Sequence, residues 1–162
     1  MYLTKTPLFI QSLFPNLTWR LPSKRNTLYL TFDDGPIPNI TEWILDTLNQ
    51  YQAKATFFCV GENVAKHPII FSRIKVEGHS VGNHTYHHKN GWQTSKNNYL
   101  DDIRKCGQVV DSNLFRPPYG RMKPSQIQQI KQEYQIVMWD VLTGDFDPSL
   151  HPDKCYDAIL KN

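Results

Sequence analysis

An uncharged run, Thr27-Leu28-Tyr29-Leu30-Thr31-Phe32, ends abruptly in Asp33-Asp34-Gly35-Pro36, and the rest of the chain has to be arranged around that junction. β-branched, aromatic and aliphatic side chains without a charge suit a strand buried on both faces. Gly35 opens backbone conformations closed to other residues and Pro36 ends the strand's hydrogen bonding, which leaves two carboxylates at its C-terminal mouth. In α/β proteins that mouth is where sites are built. Adjacent carboxylates repel, so either a cation, most simply a metal ion, keeps both ionised or one of them has a strongly raised pKa. The alternative is an ordinary Asp-Gly turn in which the second acid is only a cap.

Strand and helix patterns alternate from there on. Asn39 and Glu42 resemble a capping box, and Ile44, Leu45, Leu48 and Tyr51 carry helical spacing to about Tyr51. Ala55 to Val60 reads as a second buried strand. A helical region opens at Gly61, restarts at Pro68 and closes at Gly78. His79 to Gly82 and Leu114 to Arg116 are short strands, Gln135 to Asp140 a fifth, with helices over Leu100–Val110, Pro124–Tyr134 and Pro152–Lys161 between and after them. Such alternation implies a parallel sheet or barrel. Asp33-Asp34, His84 to His88, Arg116 to Tyr119 and Asp145 each fall just beyond a predicted strand, and in a parallel barrel those ends share one rim.

The bulk properties narrow the function. At 162 residues the chain suits one core better than two, with residues 1–24 as an N-terminal extension and 25–162 as the domain. A net charge of +3 with scattered basic residues lacks the footprint of a nucleic-acid binder. The three cysteines, Cys59, Cys106 and Cys155, suit neither a disulfide framework nor a metal knuckle and read as buried thiols. Pro7, Gln11, Ser12 and Pro15 interrupt the apolar residues near the N-terminus, so neither a signal peptide nor a membrane span is expected, and the default location is the cytoplasm. A monomer is the expected state.

His84-Thr85-Tyr86-His87-His88 spaces two imidazoles four apart, which on a helical turn points His84 and His88 the same way. With Asp34 they form a His₂Asp set that leaves coordination positions open, as catalytic metal sites do. His87 and His79 would face elsewhere. The bland reading of the pair is a polar surface loop. Arg116-Pro117-Pro118-Tyr119-Gly120 is a rigid loop holding a guanidinium and the following amides still, or else a simple proline turn. Asp145, in Trp139-Asp140-Val141-Leu142-Thr143-Gly144-Asp145-Phe146, is a loop carboxylate.

In order, TFDDGP, HTYHH, RPPYG and WDVLTGDFD resemble the polysaccharide deacetylases of carbohydrate esterase family 4, the NodB homology domain, over roughly Leu28 to Asp147. The resemblance implies a distorted (β/α) barrel of fewer than eight strands. It implies that Asp33 is the general base, that Asp34, His84 and His88 hold a divalent metal, and that Arg116 fixes Asp33. It further implies that the Tyr119 amide helps bind the oxyanion and that Asp145 supports the charged network. The expected activity is removal of N-acetyl groups from N-acetylglucosamine-containing glycans such as peptidoglycan or chitooligosaccharide. Zinc heads the candidate ions, with cobalt, nickel and manganese also suited to the ligands.

The chain departs from the family at its end. The proton for the leaving amine usually comes from a late Leu-x-His motif on the last barrel strand. His151, the only histidine after Asp145, instead lies in Leu150-His151-Pro152 before a helix. Leu142 and Phe146 also replace the acid and tryptophan often found in the fourth motif. Those departures imply a domain lacking its C-terminal strand or strands. They keep open a metal-binding but catalytically impaired fragment, and another metal-dependent amidohydrolase or phosphoesterase, beside the deacetylase.

Overall fold

Strands β1 (Thr31–Asp33), β2 (Thr56–Cys59), β3 (Ser80–Asn83), β4 (Leu114–Phe115) and β5 (Gln135–Ile136) form one parallel sheet in the order β1-β2-β3-β4-β5. Helices α2 (Ile40–Gln50), α3 (Gly61–Lys66), α4 (Pro68–Val76), α5 (Lys96–Gly107) and α6 (Pro124–Ile130) run between them. Parallel strands in sequence order belong to a barrel wall; a doubly wound sheet would reverse its order part way. The structure is a computed structural model and describes residues 4–22 and 27–161.

Local chemistry explains the elements. The Glu42 carboxylate accepts from the Asn39 amide at 2.8 Å, closing the expected capping box of α2. Pro68 opens α4, and Gly78 follows its end at φ +79°, a left-handed position that favours glycine. Leu45, Phe57, Cys59, Ile74, Cys106 and Val110 meet in one core cluster. Burial raises both core thiols, that of Cys106 to about 12, so they stay protonated. Cys155 is partly exposed.

Two strand expectations are corrected. β1 begins only at Thr31, and Leu28, Tyr29 and Leu30 are 78%, 54% and 41% exposed, because β1 pairs with β2 alone among the described residues. β5 stops at Ile136; Val137 bridges Thr18 and Val141 bridges Lys5.

The chain divides into two compact units. Ser23–Ile136 carries the sheet and α2 to α6. Met1–Pro22 with Val137–Asn162 carries α1 (Leu8–Leu13) and α7 (Pro152–Leu160). In this second unit Thr6 donates from its amide to the Asp140 carbonyl at 2.9 Å, and Arg20 pairs with Asp140 at 3.0 Å. The boundary expected at residues 24 and 25 lies outside the described residues. No helix among the described residues is long and apolar enough to cross a membrane.

Candidate metal centre

The parallel sheet places three of the four motifs together at strand ends. Asp33 is the last residue of β1, His84 follows β3 and Arg116 follows β4. Asp34 turns the chain after β1 at φ +68°, while Gly35 has no left-handed φ, so the unusual conformation falls on the acid and not on the glycine expected to carry it. Asp tolerates that region better than most residues because its short side chain can bond locally. Asn63 Nδ2 donates to the Asp34 carbonyl at 2.7 Å and holds the turn.

Asp34 Oδ1 lies 3.0 Å from His88 Nε2 and 3.4 Å from His84 Nε2. One donor atom from each of the three residues lies within 4.8 Å of the others. His84 is buried, and its Nδ1 sits 2.7 Å from the Arg116 carbonyl. A carbonyl can only accept, so Nδ1 carries the hydrogen and Nε2 keeps its lone pair for a ligand role. The close approach of His84 and then of His88 holds the Asp34 carboxyl well below the usual carboxylate range, despite partial burial.

The two histidines do not sit on a helical turn. Residues 84–88 form a loop in which Thr85 and His88 adopt φ of +62° and +53°. For β-branched Thr85 that is a costly conformation, sustained only where surroundings impose it. Here Thr85 is fully buried, its amide donates to Asn83 Oδ1 at 2.9 Å, and its carbonyl accepts from the Gly61 amide at 3.0 Å. The His88 ring then stacks at a tilt on Tyr119, centroids 4.7 Å apart.

Asp33 is held separately. Arg116, only 3% exposed, donates from Nη1 to Asp33 Oδ1 at 2.8 Å and to Thr31 Oγ1 at 2.7 Å, with its guanidinium 4.2 Å above the Phe58 ring. Burial pulls the arginine's pKa below its ordinary value and the Asp33 carboxylate opposes that. The two adjacent acids thus face different partners, Asp33 a guanidinium and Asp34 two imidazoles. Tyr119, at φ +60°, is 58% exposed.

Asp102 carries no motif, yet the loop depends on it. It projects from α5, is buried, and accepts from the amides of Tyr86 and His87 at 2.9 Å each. His87 Nδ1 at 2.6 Å and Lys89 Nζ at 3.2 Å complete its shell. His87 is therefore engaged by Asp102, and buried His79 accepts from the Ala55 amide through Nδ1 at 3.2 Å. Asp145 belongs to the second unit, where Thr143 Oγ1 donates to it at 2.5 Å. His151, in the same unit, is exposed and caps α7 by accepting from the Asp153 amide at 3.3 Å.

The donor set fits an ion. Ligands about 2.0–2.1 Å from a tetrahedral metal stand about 3.4 Å apart, close to the separations seen between Asp34 and each histidine. Two imidazoles and one carboxylate also leave at least one position free for water or substrate.

The sequence model of one family, described as polysaccharide deacetylase, matches residues 20–139. A peptidoglycan-N-acetylglucosamine deacetylase of Bacillus cereus is 40% identical over 148 residues, which are 87% of this chain and 54% of that protein. The chain therefore spans about half the length of this relative. A solved peptidoglycan N-acetylglucosamine deacetylase, bound to a naphthyl-substituted N-hydroxybenzamide, superposes with a TM-score of 0.87 at 35% identity, over 97% of this chain and 76% of that one. A family 4 carbohydrate esterase from Streptomyces lividans, in complex with acetate, gives a TM-score of 0.75 at 29% identity, over 83% and 73% of the two chains.

Proposed function

The chain belongs to the polysaccharide deacetylase family, and from that premise we propose that it is a metal-dependent hydrolase removing N-acetyl groups from N-acetylglucosamine-containing glycans, peptidoglycan first among them. The convergence of Asp34, His84 and His88 with Asp33 alongside and separately tethered is the observation that carries this reading. The names of the B. cereus relative and of the N-hydroxybenzamide-bound structure support the substrate class.

Asp34, His84 and His88 would hold the ion, with zinc, cobalt, nickel or manganese suited to such ligands. When bound, it supplies a water of lowered pKa and a positive charge facing the acetyl carbonyl oxygen. Asp33, adjacent to the ligands and not one of them, takes the proton of the attacking water. Arg116 keeps that carboxylate oriented. The Tyr119 amide donates to the oxyanion of the tetrahedral intermediate. Collapse of the intermediate releases acetate and leaves a free amine on the sugar.

Metal content and acetate release from N-acetylglucosamine oligomers test the assignment. His84→Ala is expected to lose both. Asp33→Asn should keep the metal and lose about 10²–10⁴-fold in rate. An Asp33→Asn variant as active as the wild type removes Asp33 from the base role. The helix-capping position of His151 favours a second reading, an ion bound without efficient turnover. That reading predicts stoichiometric metal with no acetate released by the wild type.

A further inference from the structure

The loop after His88 is fastened more firmly than a polar connection requires. Trp92 donates from its amide to Asn90 Oδ1 at 3.0 Å, and Thr94 Oγ1 donates to the Asn90 carbonyl at 2.7 Å. Fully buried Gln126 donates from Nε2 to the Gly91 and Thr94 carbonyls at 3.0 and 3.3 Å, and Lys123 Nζ reaches the Thr94 carbonyl at 2.8 Å. A Cβ on Gly91 would come within 2.4 Å of the Arg121 carbonyl, so glycine lets this loop lie directly against residues 121–122.

What this scaffolding displays is an indole. Trp92 is 58% exposed, its Nε1 is pinned to the Met122 carbonyl at 3.1 Å, and the Arg121 guanidinium lies 5.0 Å from its ring centroid. Much of this large apolar side chain is thus held in one orientation and yet left in water. It is pre-organised for a partner with an apolar face. The position selects that partner. Trp92 stands four residues after the ligand His88, hence no more than about 14 Å away along the chain. Arg121, over its ring, stands two residues after Tyr119, whose own exposed ring stacks on His88. Trp92 and Tyr119 are thus two exposed aromatics, one four residues beyond His88 and the other in ring contact with it.

We propose that Trp92 is a stacking platform for a pyranose ring of the glycan, one or more sugars removed from the unit that is deacetylated. The axial C–H face of a pyranose offers the apolar surface that an indole face accepts, and Arg121 stiffens the indole and can bond ring hydroxyls. The inference rests on the glycan reading above and adds a binding site to it.

Calorimetric binding of the N-acetylglucosamine hexamer to the metal-loaded protein is the test. Trp92→Ala should bind about tenfold more weakly, with Trp92→Phe close to wild type. Should Trp92→Ala fail to fold, fluorescence decides: the hexamer should change tryptophan emission in the wild type and leave Trp92→Phe unchanged. Equal affinity in wild type and Trp92→Ala, an emission change that persists in Trp92→Phe, or no binding by the wild type overturns the platform. A wild type that binds the hexamer through Trp92 but releases no acetate keeps the platform and defeats the deacetylase reading alone.

Discussion

β1 and β2 are neighbours in register, Thr31 beside Thr56 and Phe32 beside Phe57, and their sequences look alike. Their environments differ sharply. Phe57, Phe58, Cys59 and Val60 are all at least 95% buried, with β1 on one side of β2 and β3 on the other. Leu28 to Leu30, leading into β1, are exposed, and Leu30 lines a groove of about 350 Å³ with Phe32, Trp43, Ile44 and Tyr51. β2 matters along its body, as core. β1 matters at its end, where Asp33 and Asp34 leave the sheet. The difference teaches that an apolar run specifies a strand, whereas its neighbours decide what the strand does.

The largest expected effect separates those roles. Phe58→Ala empties a fully buried site and removes the ring beneath the Arg116 guanidinium. Chemical denaturation should show a loss of about 3–5 kcal/mol. Because Arg116 also holds Asp33, acetate release by the residual folded protein should fall as well. A variant that loses stability yet keeps full turnover per folded molecule would uncouple the body of β2 from the acid at the end of β1.

Asp102 gives a smaller, pH-dependent effect. Burial raises its pKa, but His87, the backbone amide and Lys89 together outweigh that and leave it below the ordinary value. A folded pKa below the unfolded one of about 3.9 means that the carboxylate's stabilisation is complete above that pH and is lost as pH falls through the folded value. Asp102→Asn should therefore cost about 1–3 kcal/mol at neutral pH. The gap in melting temperature between wild type and variant should narrow as pH falls below the unfolded value of about 3.9. A gap that does not change with pH would assign Asp102 a packing role only. The variant should also bind the metal more weakly, since the loop bearing His84 and His88 loses its anchor.

That Asp33, Asp34, His84, His88 and Arg116 come together was legible in the sequence because each sits in a contiguous motif just past an apolar run, and a parallel sheet brings such ends together. Asp102 was not, since an acid on an amphipathic helix reads as solvated and only the fold turns it toward residues 86–89. Gln126 was hidden for the same reason, buried on a helix whose polar residues look exposed. The left-handed backbone at Thr85 is held by surrounding hydrogen bonds and not by residue type, and at Asp34 it falls on the acid where reasoning from glycine pointed to Gly35. The five-strand alternation could be read, whereas the exposure before β1 could not, because periodicity describes a strand and says nothing of what lies beside it.

The smallest effect probes that last point. Leu28→Ser removes an aliphatic side chain that is 78% exposed, so little apolar surface returns to water. Stability should change by no more than about 0.5 kcal/mol, with melting temperature, metal content and acetate release as in the wild type. A cost several times larger would mean that the run preceding β1 is covered in solution. Self-association through that edge would account for such a cost, and it has its own signature: a melting temperature that rises with protein concentration in the wild type and loses that dependence in Leu28→Ser.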